Sequence, residues 1–461
     1  MERITAVSHA ATYGESPGSE APDHHSGGPV PAAPAAGPDR PTQWGTVLIL
    51  ALALLVAGSL GLAMTPLQES LRIELGFTDM QMTIVMGVAK GLPMALLSIP
   101  VGLAVDHANR SRLILLFGLC WTVGTFWTAF ATGFTSIVLA RVLVGVSTGS
   151  LLGAVLSLIA DLCMPEKRGR VILIAGVGAW LGAAFAFGFG GALFGYFSHP
   201  GTALIPGLAP WRQTLVAFGL AGAVMLIPLA FIREPQRHER ELRSNSILPA
   251  LRAIWKRRAF LLPLFLGSMT GGIAEGAAAL WSAAVLTRKF GLQPDDFGPW
   301  MGAVIFFGGV GGSIIGGFVA DWGSKLQRRG GVLIGALVAT ALTIPAGAFT
   351  VMPSVALYAW TLFALLIGGA VVSIVGPTAV TVLIPNEERG TVLAISGAIG
   401  TLTAIGAAPA VVGFGIWLYG DEGHLAETIA IVGVGTGLIS LVGFVFAMIA
   451  APERVTGTAS A

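Results

Sequence analysis

The sequence predicts an all-α membrane protein with twelve transmembrane helices in two pseudo-symmetric six-helix bundles. The composition, the length of the apolar runs and an internal repeat together predict this fold. The 461 residues are 54% hydrophobic and 11% charged, with a mean hydropathy of +0.80, whereas soluble domains carry about 25% charged residues. A chain this apolar requires lipid around it. The net charge of +2 gives no basis for a nucleic-acid partner.

The first 43 residues differ in composition from the rest. Pro, Ala, Gly, Ser and His dominate them, and such a segment buries too little apolar area to order itself. It also lacks the basic-then-apolar layout of a signal peptide. We therefore expect residues 1–43 to form a disordered cytoplasmic tail, with a second tail at 451–461.

Apolar runs of membrane-spanning length follow from Trp44 onward. Each reaches roughly the 20 residues that a helix needs to cross about 30 Å of hydrocarbon. The predicted spans are 46–66, 82–105, 113–132, 136–160, 171–195, 213–232, 260–286, 299–320, 331–350, 355–378, 392–417 and 428–450.

The distribution of Lys and Arg predicts the orientation. With a cytoplasmic N-terminus, 20 of the 26 basic residues fall in the tails and in the loops after even-numbered spans. The loops on the other side hold Arg72, Arg212, Arg288 and Lys289. This asymmetry places both termini in the cytoplasm, and we expect a bacterial inner or cell membrane.

The longest internal loop, 233–259, separates two bundles at 44–232 and 260–450. It carries eight basic residues, and apolar residues recur in it at helical spacing from Ile247 to Trp255. A short helix on the inner leaflet and a solvated linker both account for these residues, and we expect a basic cytoplasmic linker that rests on the membrane.

Two motifs recur in the second half. Gly102 and Asp106, followed by Arg110 and Arg112, are matched 215 residues later by Gly317 and Asp321, followed by Lys325, Arg328 and Arg329. Pro165-Glu-Lys-Arg-Gly-Arg-Val is matched by Pro385-Asn-Glu-Glu-Arg-Gly-Thr-Val, which aligns Arg168 with Arg389. Each pair follows the same span of its half, so the repeat is a parallel six-plus-six duplication.

The segment Gly102–Arg112 resembles the loop between the second and third helices of major facilitator superfamily transporters. The resemblance covers residues 44–455 and implies two bundles that rock about a central site. Leu75–Gln81, Asp106–Ile114 and the Pro165 loop resemble the spinster-like branch. The chain differs from that branch at Leu60 and Gly61, where the branch has an Asp-Arg pair, and at Thr148, where it has a Glu.

Three charged residues lie well inside the predicted spans: Lys90, Arg141 and Glu275. Each costs at least about 2.5–3.5 kcal/mol on insertion scales, so each is a candidate for substrate binding or coupling. Lys90 lies beside Gly91 and Pro93. It either receives an anionic substrate group, or it extends toward the outer membrane surface or has a structural partner. Arg141 resembles the Arg of proton-linked members of the superfamily. It either holds a carboxylate or pairs with Glu69.

Glu275 lies at the centre of the seventh span. A carboxyl group in hydrocarbon favours its protonated form, so Glu275 is the candidate protonation site, and the alternative is a purely structural role. Trp281, six residues further on, is a candidate for lining the cavity. We expect no cofactor or metal other than a coupling proton.

The repeated loops predict two latches on the cytoplasmic face. Asp106 would face a helix N-terminus of the other half near Arg389, and Arg110 and Arg112 would pair with Asp161 or Glu166. The full predicted set is Gly102, Asp106, Arg110, Arg112, Asp161, Glu166, Arg168, Gly317, Asp321, Arg328, Arg329 and Arg389. These contacts would form when the cytoplasmic side closes.

These features favour a secondary transporter, a monomer, that moves a small organic anion or amphiphile, driven by protons or by its own gradient. The alternatives are a spinster-like exporter or facilitator of lysolipids or sphingolipids, and a membrane receptor that transports nothing. The sequence has no Walker motif, metal triad or nucleophile elbow, so neither an enzyme nor an ATP-driven pump is expected.

Overall fold

A computed structural model shows an all-helical chain. It describes residues 43–163, 165–235, 252, 254–326, 328–419 and 422–452. The two predicted tails, apart from residues 43, 451 and 452, lie outside the described residues. Most of the 233–259 loop also lies outside them.

The described helices form twelve spans, as predicted. The first six comprise Trp44–Leu62; Asp79–Thr83, Ile84–Val88 and Ala89–His107; Arg110–Phe130; Phe134–Leu162; Pro165–Ser198; and Pro210–Ala230. The second six comprise Arg258–Phe290; Pro294–Lys325; Gly331–Leu333, Ile334–Ala346 and Phe349–Val351; Val355–Leu383; Asn386–Thr401, Leu402–Ala407 and Ala408–Tyr419; and Leu425–Ile449. All but the interrupted eleventh contain a continuous stretch long and apolar enough to cross a membrane.

Local sequence signals set several helix ends. The second span begins at a capping box, in which Thr78 and Gln81 satisfy each other's backbone N–H groups. The third span begins after Asn109, whose side chain accepts from the backbone N–H of Arg112. The seventh span ends at Gly291, which has a φ of 69°, a left-handed conformation that suits glycine.

The helix pairings of the first half recur in the second half. The third span packs on the fourth and sixth, the second on the fourth, and the first on the fifth and sixth. In the second half, the ninth packs on the tenth and twelfth, the eighth on the tenth, and the seventh on the eleventh and twelfth. Each pairing moves by six helices, as a parallel duplication requires.

The two halves meet along the fifth and eighth spans and along the second and eleventh spans. Glycines allow the closest approach: a Cβ on Gly191 would lie 2.2 Å from the Pro294 carbonyl oxygen, and one on Gly298 would lie 2.5 Å from that of Phe187. These contacts lie toward the face formed by the loops after odd-numbered spans, here called the opposite face. The face formed by the loops after even-numbered spans is called the basic face.

Two π-helical segments interrupt the second and eleventh spans and pack against each other. They are Ile84–Val88 and Leu402–Ala407. A Cβ on Gly87 would lie 2.2 Å from Cγ of Pro409, just after the second segment. Such segments are frequent at functional sites, and Lys90 follows the first one by two residues.

Candidate functional site

Two buried cations converge on one backbone carbonyl in the first half. Nζ of Lys90 donates to the carbonyl oxygen of Gly61 at 3.0 Å, and Nη2 of Arg141 donates to the same oxygen at 3.3 Å. Lys90 is 8% exposed and Arg141 is 3% exposed, and Nε of Arg141 has no hydrogen-bond partner. Neither cation has a carboxylate partner within the described part of the chain.

Small residues bring the Lys90 helix close to its neighbours. A Cβ on Gly145 would lie 2.8 Å from both the Cα and the carbonyl oxygen of Lys90, so only glycine fits there without a shift. On the other side, a Cβ on Gly61 would lie 3.3 Å from Nζ of Lys90. The fourth span thus presses Lys90 against the first span.

The positions that differ from the spinster-like pattern lie at this same point. Besides its proximity to Lys90, the Cβ position of Gly61 lies 3.6 Å from Oγ1 of Thr148. The hydroxyl of Thr148 donates to the carbonyl of Val144 in its own helix. Where the spinster-like pattern has the Arg of its Asp-Arg pair and a Glu, this chain therefore has Gly61 and Thr148 next to two cations, and Leu60 takes the place of the Asp.

Glu275 lies on the seventh span, in the second half. A Cβ on Gly369 of the tenth span would lie 2.8 Å from Oε2 of Glu275. Its carboxyl group makes no hydrogen bond or ion pair with any described residue. The residue lines a cavity of about 330 Å³ inside the second half and a smaller one of about 80 Å³ between the halves.

Trp281 belongs to the hydrophobic core, so its predicted place in a cavity wall is wrong. Its side chain is 1% exposed, and its Nε1 has no hydrogen-bond partner. The tryptophan that does line the small cavity between the halves is Trp180 of the fifth span, together with Phe187. Sequence alone does not separate these tryptophans, because the rotation of each helix about its axis decides which ring faces inward.

Glu69 pairs with residues other than Arg141, so the predicted alternative partner of Arg141 is corrected. Oε1 of Glu69 accepts from Nη2 of Arg288 at 2.7 Å, and its Oε2 accepts from Nε of Arg72 at 3.1 Å. Glu69 lies on a short helix, Gln68–Leu75, after the first span. Its carboxylate faces the second half at the opposite face instead of the site around Gly61.

Arg288 joins the two halves through a charge cluster that the sequence analysis missed. Its Nη1 and Nη2 donate to the two carboxylate oxygens of Asp79 at 2.6 and 2.5 Å. The opposite-face cluster is Glu69, Arg72, Asp79 and Arg288, with two charges of each sign. The sequence does contain a signal for this cluster: basic residues are rare in the loops of that face, and a basic residue there needs an acidic partner nearby.

At the basic face, Arg110 pairs with one carboxylate of the first half and one at the start of the 233–259 loop. Its guanidinium bonds Asp161 through Nη1 at 2.5 Å and Glu234 through Nε at 2.8 Å. The backbone N–H of Ser111 also donates to Glu234 at 2.8 Å. Burial alone would raise the pKa of Glu234, but these hydrogen bonds and the Arg110 charge outweigh burial and hold that pKa below its ordinary value.

Among the described residues, Arg389 and the two glycines of the predicted latch form no side-chain contact between the halves. Arg389 donates to the Ile384 carbonyl at 3.3 Å within its own half, and a Cβ on Gly102 or on Gly317 would meet nothing within 4 Å. The exposed members of the set are Gly102, Asp106, Arg112, Asp321, Arg328 and Arg329. The side chains of Glu166 and Arg168 lie outside the described residues. A latch that forms on closure of this face stays a prediction.

The fold is similar to that of a solved transporter structure. A crystal structure described as a bacterial homolog to the human lysosomal transporter Spinster, inward-facing and unoccupied, matches with a TM-score of 0.73 and 21% identity. The match covers 89% of this chain and 97% of that chain. At this identity the likeness shows the fold alone.

Curated relatives match over shorter segments. The 3-(3-hydroxy-phenyl)propionate transporter of Escherichia coli is 34% identical over 112 residues, which is 23% of this chain and 26% of that protein. A triacylglyceride transporter of Mycolicibacterium smegmatis is 27% identical over 154 residues, 33% of this chain and 25% of that protein. The chain thus spans about a quarter of each relative's length.

A family model covers most of the chain. The model described as Major Facilitator Superfamily matches residues 46–408, from the first span into the eleventh. The twelve spans and the six-helix offset of their pairings agree with this match. The chain is therefore an integral, multi-pass membrane protein that belongs to the Major Facilitator Superfamily.

Proposed function

We propose that this protein is a secondary transporter that moves a small organic anion, or an amphiphile with an anionic group, by alternating access. One observation carries the proposal: Lys90 and Arg141 share the single carbonyl of Gly61 and face no carboxylate among the described residues. Buried charges of one sign are costly unless a partner neutralises them. An anionic substrate supplies that partner, and the unused Nε of Arg141 is a further donor for it.

The charge asymmetry of the loops supports an orientation with both termini in the cytoplasm, in a bacterial inner or cell membrane. The basic face is then cytoplasmic. The contacts between the halves at the opposite face, including the Arg288 cluster, then seal the outside. On this orientation, a carrier in this conformation would release or take up substrate on the cytoplasmic side.

We propose Glu275 as the site of a coupling proton, which would make the protein a symporter. Its carboxyl group has no partner in the described structure, lies in a membrane span and borders the small cavity between the halves. A neutral, protonated carboxyl crosses such an environment at a lower cost than a carboxylate. The proton and the anion would then enter together.

A spinster-like lipid exporter or facilitator is the second candidate function. The overall fold favours it, and so does the name of the mycobacterial relative, a triacylglyceride transporter. Leu60, Gly61 and Thr148 disfavour it, because they replace the Asp-Arg pair and the Glu of the spinster-like pattern. A lysolipid with an anionic headgroup would still suit Lys90 and Arg141, so substrate size separates the two functions.

Uptake into proteoliposomes tests the proposal with a matched set of probes. We expect uptake of 3-(3-hydroxyphenyl)propionate and little uptake of its neutral primary amide, which has the same shape. Lys90→Ala should reduce carboxylate uptake by about tenfold or more, the loss of one charge-assisted hydrogen bond. Equal uptake of acid and amide would refute anion recognition. Transport of a fluorescent lysolipid with no carboxylate uptake would favour the lipid carrier.

An imposed proton gradient tests the coupling separately. With an inward proton gradient, the wild-type protein should accumulate the carboxylate, and Glu275→Gln should only equilibrate it. Glu427→Gln, which changes an exposed carboxyl at the start of the twelfth span, is the matched control. Unchanged accumulation by Glu275→Gln would remove the coupling role and leave the anion site intact.

A further inference from the structure

The cavity inside the second half is not part of the Lys90–Arg141 site. Its wall comes from the seventh, ninth, tenth, eleventh and twelfth spans, all in the second half. Its volume of about 330 Å³ lies at the lower end of the range of small-molecule sites. A water molecule takes about 30 Å³ of liquid, so the space far exceeds what a bare proton or a single ion needs.

Among the described residues, the charge in the wall of this cavity is negative. Glu275 is the one charged residue among the described residues that line it, and its carboxyl group has no partner there. The rest of the wall is apolar or hydroxyl-bearing. A ligand that adds a positive charge would give the carboxylate its counter-charge.

A buried hydroxyl points to the same ligand. Thr340 of the ninth span is 2% exposed and lines the cavity, yet its Oγ1 makes no hydrogen bond. Buried polar atoms without partners are rare in proteins and usually indicate a missing ligand or water. A hydrogen-bonding group in the cavity would satisfy Thr340 and Glu275 together.

Further hydroxyls in the wall already donate to backbone carbonyls. Thr343 donates to the carbonyl of Thr340, Ser373 to that of Ala370, and Ser440 to that of Gly267. A hydroxyl that donates its proton still accepts through its lone pairs. The cavity therefore presents acceptors, which match an ammonium group with three N–H donors and no acceptor.

We propose that this cavity is a second ligand site, which binds a small organic amine in its protonated form through Glu275, with Thr340 as a further hydrogen-bond partner. Leu365, Val372 and Leu393 in the wall pack against the apolar body of the amine. The site does not depend on anion transport. It shares Glu275 with the proposed coupling site, so an amine and a coupling proton compete for one carboxylate. A zwitterion or a co-transported amine then becomes a substrate class of this carrier.

Thermal unfolding of the purified full-length protein, followed by tryptophan fluorescence, tests the second site. Three probes share one skeleton: 3-phenylpropylamine, 3-phenylpropanol and 3-phenylpropionate. A ligand of the folded state raises the Tm by mass action. We expect the amine to raise the Tm saturably, with an apparent affinity about tenfold or more above that of the alcohol, the ratio for one charge-assisted hydrogen bond.

Variants assign each response to its site. Glu275→Gln should lose the amine response and keep the carboxylate response, which also shows that the variant is folded. Thr340→Val should weaken the amine response, and Glu427→Gln should keep both responses. Lys90→Ala should show the reverse pattern, with the amine response kept and the carboxylate response lost.

The outcomes separate the two proposals. Equal shifts with amine and alcohol, no shift with the amine, or an amine shift that survives Glu275→Gln would overturn the second site. A wild-type protein that responds to the amine but not to the carboxylate, or a Lys90→Ala variant that keeps the carboxylate response, would overturn the anion site and leave the second site standing.

Discussion

On the proposed function, the opposite-face cluster predicts that one arginine sets the balance between the two open states of the carrier. Arg288 of the seventh span reaches Asp79 and Glu69 of the first half at 2.5–2.7 Å. The side chains of Asp79 and Glu69 are 2% and 7% exposed. Opening this face has to break these bonds, because they join residues of different halves. Arg288→Ala should therefore favour the state that is open at the opposite face.

The size of the shift follows from the bonds that are lost. Removing one partner of a buried ion pair costs about 3–5 kcal/mol. Arg72 remains, 3.1 Å from Glu69 and 4.0 Å from Asp79, and offsets part of that cost. We expect about 2–4 kcal/mol, which changes the ratio of the two states by roughly 30- to 1,000-fold.

Cysteine labelling measures the ratio. Cys120 and Cys163 are the two native cysteines and are replaced first. Ser282→Cys then reports on the opposite side, since Ser282 is fully buried and lines the small cavity between the halves. Ser396→Cys, in the wall of the cavity in the second half, reports on the other side. Arg288→Ala should accelerate labelling at 282 and slow it at 396.

A matched control separates gating from general loosening. Arg212 bonds Glu74 at 2.8 Å, and both residues belong to the first half. Arg212→Ala removes a comparable ion pair without touching the contact between the halves, so the labelling ratio should stay unchanged. The cycle formed by Arg288→Ala, Asp79→Ala and the double variant should show strong coupling. Unchanged labelling at 282 in Arg288→Ala would refute the gate.

Three further predictions concern the anion site and the basic face. Gly145→Ala should lower the Tm and weaken 3-phenylpropionate binding, because its Cβ would lie 2.8 Å from the backbone of Lys90. Gly153→Ala on the same helix is the control: its Cβ would meet nothing within 4 Å, so the Tm and the binding should stay unchanged. Gly61→Asp places a carboxylate beside Nζ of Lys90 and should abolish the Tm shift given by 3-phenylpropionate; a retained shift would show that Lys90 is not the anion's partner. The pKa of Glu234 is lowered in the folded protein, so its ion pair with Arg110 stabilises the fold above the unfolded pKa of about 4.5, and this stabilisation is lost as pH falls through the folded pKa. Glu234→Gln should therefore make Tm fall less steeply over that acidic range. An unchanged dependence of Tm on pH would contradict a stabilising role for this ion pair.

The spans were predictable because a run of consecutive hydrophobic residues can be identified without knowing any tertiary contact. The predicted fourth span, 136–160, and the observed helix Phe134–Leu162 differ by two residues at each end. The first span was predicted to reach residue 66, yet its helix ends at Leu62. The chain there turns into the short helix Gln68–Leu75, which is too polar to be found as a span and too short to be found by periodicity.

The partners of the charged residues were less predictable, because they depend on helix rotation and on contacts between the halves. Depth in the membrane made Glu69 a reasonable partner for Arg141, but the Glu69 carboxylate faces Arg288 of the seventh span. Lys90 and Arg141 were identified from their cost in the membrane. That both reach the same carbonyl depends on the close approach at Gly145, which no sequence pattern encodes. The cavity in the second half could likewise not be predicted from the sequence, since its shape depends on how five helices pack together.

The three intramembrane charges explain why loaded and empty carriers should differ in their ability to change state. Lys90 and Arg141 lie in the first half and Glu275 in the second, and none has an opposite charge as partner within the described residues. At about 2.5–3.5 kcal/mol each, the three cost roughly 7.5–10.5 kcal/mol, a sum comparable to the net stability of a domain. On the proposed function, a carboxylate compensates one of the two positive charges of the first half, and a proton neutralises the carboxylate of the second. The doubly loaded carrier then passes through an occluded state with less uncompensated buried charge than the empty or singly loaded carrier, and this difference couples the two fluxes.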